Sequence, residues 1–343
     1  MGILNWLRHG GRGESEQGKQ LIGEAVERIV KLNPQLRLAR RYQARLEPAV
    51  ATSLKHVGDI VASAPAPREA SAAAWSSDPY IHAFFAAPDD VPRALSRSTD
   101  LRSYFERNTD LPEVYALLGM AMDERKIAGL ALQGETVRRD VVQTTVSFSD
   151  HRVRVCGRTE ADLRQEIVRR LVDQLGLDGL ARIAADKSRR DLLEQDRALL
   201  KTRLQLLERQ GAGIRSMLGS NGSGTSEELA HLQEQIEENE RALHGLGLRT
   251  EALERDFDQL CAVLEDPRPH IYVEDRRLRL DKMNVVQPES SEQAGEDFTF
   301  HIARVPTTPP QMRAFALVRC RRSELLPAAN LLDEAVRQLT MMR

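Results

Sequence analysis

Residues 229–264 read LAHLQEQIEENERALHGLGLRTEALERDFDQLCAVL. Within this stretch Leu229, Leu232, Ile236, Asn239, Leu243, Leu246, Thr250, Leu253, Phe257, Leu260 and Leu264 fall alternately three and four apart, and nine of the eleven are apolar. A 3-4 spacing held for five heptads under-winds a helix to about 3.5 residues per turn and demands a facing helix. The stretch is therefore read as one arm of a coiled coil.

The facing arm lies upstream. Residues 182–209 carry Leu193, Leu200, Leu204 and Leu207 on one seam, and residues 211–224 contain five glycines that supply the reversal of direction. From Asp186 to Gln210 there are seven basic and five acidic residues, whereas from Thr225 to Asp266 there are three basic and twelve acidic. Opposite-sign flanks bias the arms toward each other, although register comes from the leucine seam, since each exposed ion pair is worth only a few tenths of a kcal/mol. The competing arrangement is a parallel homodimer through the 229–264 seam, with Asn239 as its register device.

Outward from the arms the period changes. Val142, Thr144, Val146 and Phe148 alternate with polar residues, Ser149-Asp150-His151 reads as a turn, and Val153 and Val155 alternate with Arg152 and Arg154. A second Arg-faced hairpin is read at Ile271–Leu280, followed by strands at Phe298–Val305 and Arg313–Cys320 and a closing helix from Glu324 to about Met342. Two antiparallel helices precede all of this, separated at Asn33-Pro34 and stopped at Pro65-Ala-Pro67. Short helices are expected near residues 80–86, 91–96 and 100–107, with a longer one at 111–126. Gly176-Leu-Asp-Gly179 reads as an interruption of the helix that starts at Glu160.

The expected fold is α+β and predominantly helical: an N-terminal helical module followed by a small antiparallel β-domain into which a long antiparallel coiled-coil hairpin is inserted. Its boundaries are a helical hairpin at 1–63, a linker at 64–78, a short-helix region at 79–138, and the first part of the β-domain with its packing helix at 139–180. The coiled-coil hairpin occupies 181–266 with its tip at 211–224, and the β-domain resumes with a C-terminal helix at 267–343.

Composition narrows the function classes. At 343 residues, 41% hydrophobic and 29% charged, the chain is long enough for two or three domains. No run of about 18 uncharged apolar residues is present, and a cytoplasmic location is the default expectation. A net charge of -2 gives no global pull toward nucleic acid or anionic membrane. Three dispersed cysteines, Cys156, Cys261 and Cys320, offer neither a disulfide framework nor a C-x-x-C metal pair.

Catalytic motifs are absent from the pattern, and no metal or cofactor is called for. Gly219–Ser226 resembles a phosphate loop only in composition and lacks the lysine that would reach a phosphate. His151, His270 and Cys156 converge only if the two hairpins pair. Arg37, Arg41 and Arg45 form a basic stripe read as a polar outer face, and Ile3, Leu4, Trp6 and Leu7 form a short apolar N-terminal segment.

Three readings follow. The leading one is a non-enzymatic cytoplasmic scaffold or adaptor that meets a protein partner through the apolar tip residues Ile214, Met217 and Leu218 or through the acidic second arm. The alternative is a nucleic-acid-associated protein that binds phosphates through Arg152, Arg154, Arg277 and Arg279 on neighbouring strands. An enzyme with a composite site at the sheet is the third.

Overall fold

The computed structural model describes residues 16–133, 136–218, 223–246, 251–287, 295–306 and 311–327. It is an α+β structure built on a six-stranded sheet. The chain divides into two units, one formed by Met1–Ala25, Val50–Leu175 and Asp266–Arg343, the other by Val26–Ala49 and Gly176–Glu265.

The first unit holds the sheet. Its strands are β1 (Arg68–Ala70), β2 (Glu113–Gln133), β3 (Thr136–Gly157), β4 (Tyr272–Leu280), β5 (Glu296–Val305) and β6 (Gln311–Arg321), in the order β3-β2-β6-β5-β4 with β1 parallel to the end of β6. All other pairings are antiparallel. The segment after β4 turns back to the outer edge of β3, where Val146 donates to the Asn284 carbonyl at 2.9 Å and Val286 to Thr144 at 2.8 Å.

One face of this sheet packs on three short helices. Val114, Ala116, Leu118 and Met120 of β2, at strict two-residue spacing, are fully buried in the cluster that includes Ile81, Phe84, Leu95 and Phe105. Two of the helices start where a side-chain cap dictates. Asp78 accepts from the amides of Tyr80 and Ile81, with Pro79 at the first position of α3 (Pro79–Phe84); Ser98 accepts from Leu101 to start α5 (Thr99–Arg107). Between them lies α4 (Asp90–Arg97). The Ser98 hydroxyl also donates to the Val153 carbonyl at 2.9 Å, tying the helical layer to β3. Tyr80, Phe84, Phe148, Phe298 and Phe300 meet in tilted and edge-to-face contacts, each such pair adding on the order of 1 kcal/mol beyond the area it buries.

The opposite face is covered by the C-terminal part of α2 (Tyr42–Ser63) and the first turns of α6 (Glu160–Leu218). Arg164 fastens the two helices. Its buried guanidinium donates to the carbonyl of Val61 in the last turn of α2 and to those of Ala64 and Pro65 just beyond it, and pairs with Glu160. His56 lies 2.8 Å from the Ile271 carbonyl, and Gln174 donates to the Pro306 carbonyl, so both helices are held to the sheet's connecting segments.

In the second unit the long α6 pairs with α7 (Ser223–Gly245) and α8 (Ala252–Glu265). Lys201–Glu240 at 2.7 Å, Arg203–Glu228 at 2.8 Å and Lys187–Asp256 at 3.0 Å cross the pair in antiparallel order. Leu232, Ile236, Phe257, Leu260 and Leu264 of the heptad seam are buried.

Several sequence readings are corrected. The heptad seam does not run along one helix: α7 ends at Gly245 and α8 begins at Ala252, with residues 247–250 outside the described residues. Gly176 and Gly179 do not interrupt α6. They let neighbours approach, for a Cβ at 176 would stand 3.1 Å from Ile29 and one at 179 only 2.7 Å from Leu260. The reversal is shorter than 211–224, because α6 stays helical through Leu218 and α7 starts at Ser223.

The expected helix at 111–126 is strand β2. Its Ala, Leu and Met content favours helix, but burial of alternate residues on one face and contact with helices on the other override propensity. It follows that 79–138 is not a separate region. Nor do the two Arg-faced segments form hairpins; each is a single strand. Ser149-Asp150-His151 is a bulge inside β3, where the pairing shifts and Asp150 takes φ 50°. The supposed linker at 64–78 contains β1, and Ala70 and Ala74 join the core. Arg322–Glu324 is a 3-10 turn and 325–327 is not helical, so no helix begins at Glu324; residues 328–343 lie outside the described residues.

Candidate functional site

A cavity of about 520 Å³ opens between the second face of the sheet and the two helices that cover it. Ile60 and Val61 of α2, Ile167 and Leu171 of α6, and Leu117 and Leu317 of the sheet give it aliphatic walls. Five arginines also line it: Arg152, Arg154, Arg170, Arg304 and Arg313, with no carboxylate among the lining residues.

Strand pairing places these groups. Arg152 of β3, Gly119 of β2 and Phe315 of β6 lie in one row across the sheet. Further along, Leu117 pairs with Val155 but Leu118 pairs with Val153, so Arg154 is an extra residue on β3. This second bulge puts both Arg154 and Val155 against the cavity. Gly119 keeps the row open, since a Cβ there meets nothing closer than 3.8 Å.

The arginines differ in how they are held. Asp150, displaced by the first bulge, accepts from Arg152 at 2.8 Å and from Arg313 at 2.9 Å. The hydrogen bond from Arg152, assisted by that from Arg313, holds its carboxyl below the usual carboxylate value. Arg170 pairs with Glu166 at 2.8 Å and also donates to the Arg154 carbonyl. Arg304 donates to the Pro269 carbonyl and lies over the Tyr272 ring, its Cζ 5.7 Å from the centroid. The Arg154 guanidinium is exposed and has no side-chain or carbonyl partner among the described residues.

Of the four arginines expected to converge, the structure brings together Arg152 and Arg154 only. Arg277 and Arg279 lie on β4, separated from β3 in the sheet order by β2, β6 and β5. They do not line the cavity. Arg319 and Arg321 are taken by Glu69, Arg319 also approaching Glu113. The basic stripe is likewise engaged: Arg37 pairs with Glu27, and Arg45 with Glu254 and Asp258 while covering Phe257. Ile3, Leu4, Trp6 and Leu7 lie outside the described residues.

His151, His270 and Cys156 are not assembled into one site. The ring of His151 lies 2.8 Å from the Phe84 carbonyl and stacks on Phe85, and burial lowers its pKa. His270 precedes β4, at the other end of the sheet order from His151 and Cys156 on β3. Desolvation raises the Cys156 thiol to about 12, leaving it protonated at neutral pH rather than nucleophilic. Among the described residues no three His, Cys, Asp or Glu stand together as a metal-holding group.

The second unit carries a different feature. Leu192, Leu199 and Leu206 recur every seven residues along α6 and are 61%, 69% and 53% exposed. They lie beside the half-buried Leu193, Leu200, Leu204 and Leu207 that line the seam. Ile214, Met217 and Leu218 continue α6 beyond this stripe; their side chains lie outside the described residues.

The cavity was hidden in the sequence because its walls come from seven separated segments. Its one legible trace was the alternation of Arg152 and Arg154 with valines. Among the described residues no helix is long and apolar enough to cross a membrane. No protein-family model, no curated protein and no solved structure matches this chain.

Proposed function

We propose that this protein is a non-enzymatic scaffold or adaptor in which a paired-helix insertion, carried by an α+β domain with an N-terminal helical module, docks a protein partner. The observation that carries the reading is the exposed stripe of Leu192, Leu199 and Leu206 on α6. Three leucines at heptad spacing form the half-seam that a further amphipathic helix would fill. Scattered exposed leucines need no explanation, whereas a periodic row beside a filled seam does. Ile214, Met217 and Leu218, at the end of the same helix, extend the docking surface in this reading.

The experiment compares affinity capture by the wild-type chain, a Leu192/Leu199/Leu206→Gln triple variant and an Ile214/Met217/Leu218→Ser triple variant, with and without nuclease. Helicity measured by circular dichroism confirms that each variant is folded. Loss of one specific protein from the first variant, independent of nuclease, supports docking through the stripe. Capture unchanged in both variants overturns it.

A further inference from the structure

We infer that the arginine-lined cavity of the first unit is a binding site for a small amphiphilic anion: a linear aliphatic chain carrying a carboxylate or phosphate head. This is independent of the adaptor reading, which rests on the second unit.

Volume, wall chemistry and charge each restrict the ligand. About 520 Å³ falls in the range of roughly 300–1,000 Å³ usual for small-molecule sites. The walls from α2, α6 and the sheet are branched aliphatic side chains, with Phe315 as the single aromatic. That composition suits a flexible hydrocarbon better than a planar base, which would require aromatic faces to stack on.

The charge is one-sided. Five guanidinium groups line the space, and the two adjacent carboxylates, Asp150 and Glu166, hold three of them. Arg304 rests on a carbonyl and a ring. Arg154 remains, exposed at a bulge that turns it to the cavity side. An anion there would gain a charge-assisted hydrogen bond without breaking an existing ion pair. A guanidinium fork suits carboxylate and phosphate alike, so the head is defined by charge and the body by the aliphatic walls.

The test is calorimetric titration of the full chain with dodecanoate and dodecyl phosphate below their micelle concentrations and with dodecanol below its solubility limit. Saturable one-to-one binding of either anion, at least about tenfold tighter than dodecanol and weakened by salt, is expected. The tighter of the two anions identifies the head. Arg154→Gln should weaken the anion about tenfold and leave dodecanol unchanged. Gly119→Leu, which places a side chain in the space above β2, should abolish binding of all three while the thermal midpoint shows the chain still folded. Equal affinity for dodecanol and the anions, non-saturable uptake, or full affinity in a folded Gly119→Leu variant would overturn the inference.

Discussion

Gly157 ends β3 directly against the backbone of Leu163, so that a Cβ at position 157 would stand 2.8 Å from the Leu163 Cα and 3.0 Å from the Asp162 carbonyl carbon. The contact is made by the first turn of α6, whose start is fixed by Thr159: its Oγ1 accepts from the Asp162 amide, and the Asp162 carboxylate accepts in turn from the Thr159 amide. Neither side is a flexible side-chain end, so the strand-to-helix junction has no cheap way to admit a methyl group. Gly157→Ala is expected to cost about 2 kcal/mol or more in chemical denaturation. Gly23→Ala in α1 (Glu16–Leu32), where an added Cβ meets nothing within 4 Å, should instead stabilise by roughly 0.5–1 kcal/mol. Similar midpoints for the two variants would contradict the close approach.

Asp150 links the geometry of the cavity to pH. Its φ of 50° is a conformation that Asn also tolerates, so Asp150→Asn removes charge without forcing a new backbone. The folded-state pKa is depressed by Arg152 and Arg313. The carboxylate therefore stabilises the fold fully above its ordinary value near 3.8, and the contribution disappears as pH falls through the depressed folded value. Asp150→Asn should be less stable than wild type at pH 7, by no more than about 1 kcal/mol because the pair is largely solvated. Urea denaturation at descending pH should show the two proteins converging below pH 4. A gap that widens on acidification would refute the assignment.

The elements that sequence reading recovered are those whose periodicity is set by one neighbour. Leu232, Ile236, Phe257, Leu260 and Leu264 of the 229–264 seam are buried at the heptad spacing because they face a helix and not two layers at once. Reading failed where two neighbours act at once. Val114, Ala116, Leu118 and Met120 face one helical layer while Leu117 faces another, so β2 loses its polar side and resembles an amphipathic helix. Glycines were misread for a related reason: nothing local distinguishes a glycine that ends a helix from Gly179, which admits Leu260. Asp150 looked like a turn because a bulge and a turn use the same residue types.

Cys156, Cys261 and Cys320 are expected to be inert in the native protein. Desolvation raises the first two to about 12 and 11 and pushes up Cys320, buried on β6 opposite Ala70 of β1, as well. At pH 8 the thiolate fraction of each is small, and a disulfide reagent should modify the folded chain far more slowly than it modifies the three thiols released by denaturant. One thiol reacting at the unfolded rate in the native state would show an activated cysteine and revive the enzymatic reading.

Asn239 decides between the two arrangements of the heptad seam. It lies between Ile236 and Leu243 in the pair formed with α6, is 8% exposed, and its Oδ1 has no donor among the described residues. In a parallel homodimer the same side chain would meet its own copy and be satisfied across the axis. In the intramolecular hairpin its burial costs stability, so Asn239→Leu should stabilise by about 1–2 kcal/mol, raising the thermal midpoint with no change in molar mass by light scattering. Because α6 already fills the seam, extra hydrophobicity there has no second chain to recruit. A variant that changes its oligomeric state would instead place Asn239 opposite another copy of itself and overturn the hairpin pairing, whereas loss of stability would show that the buried Oδ1 is satisfied.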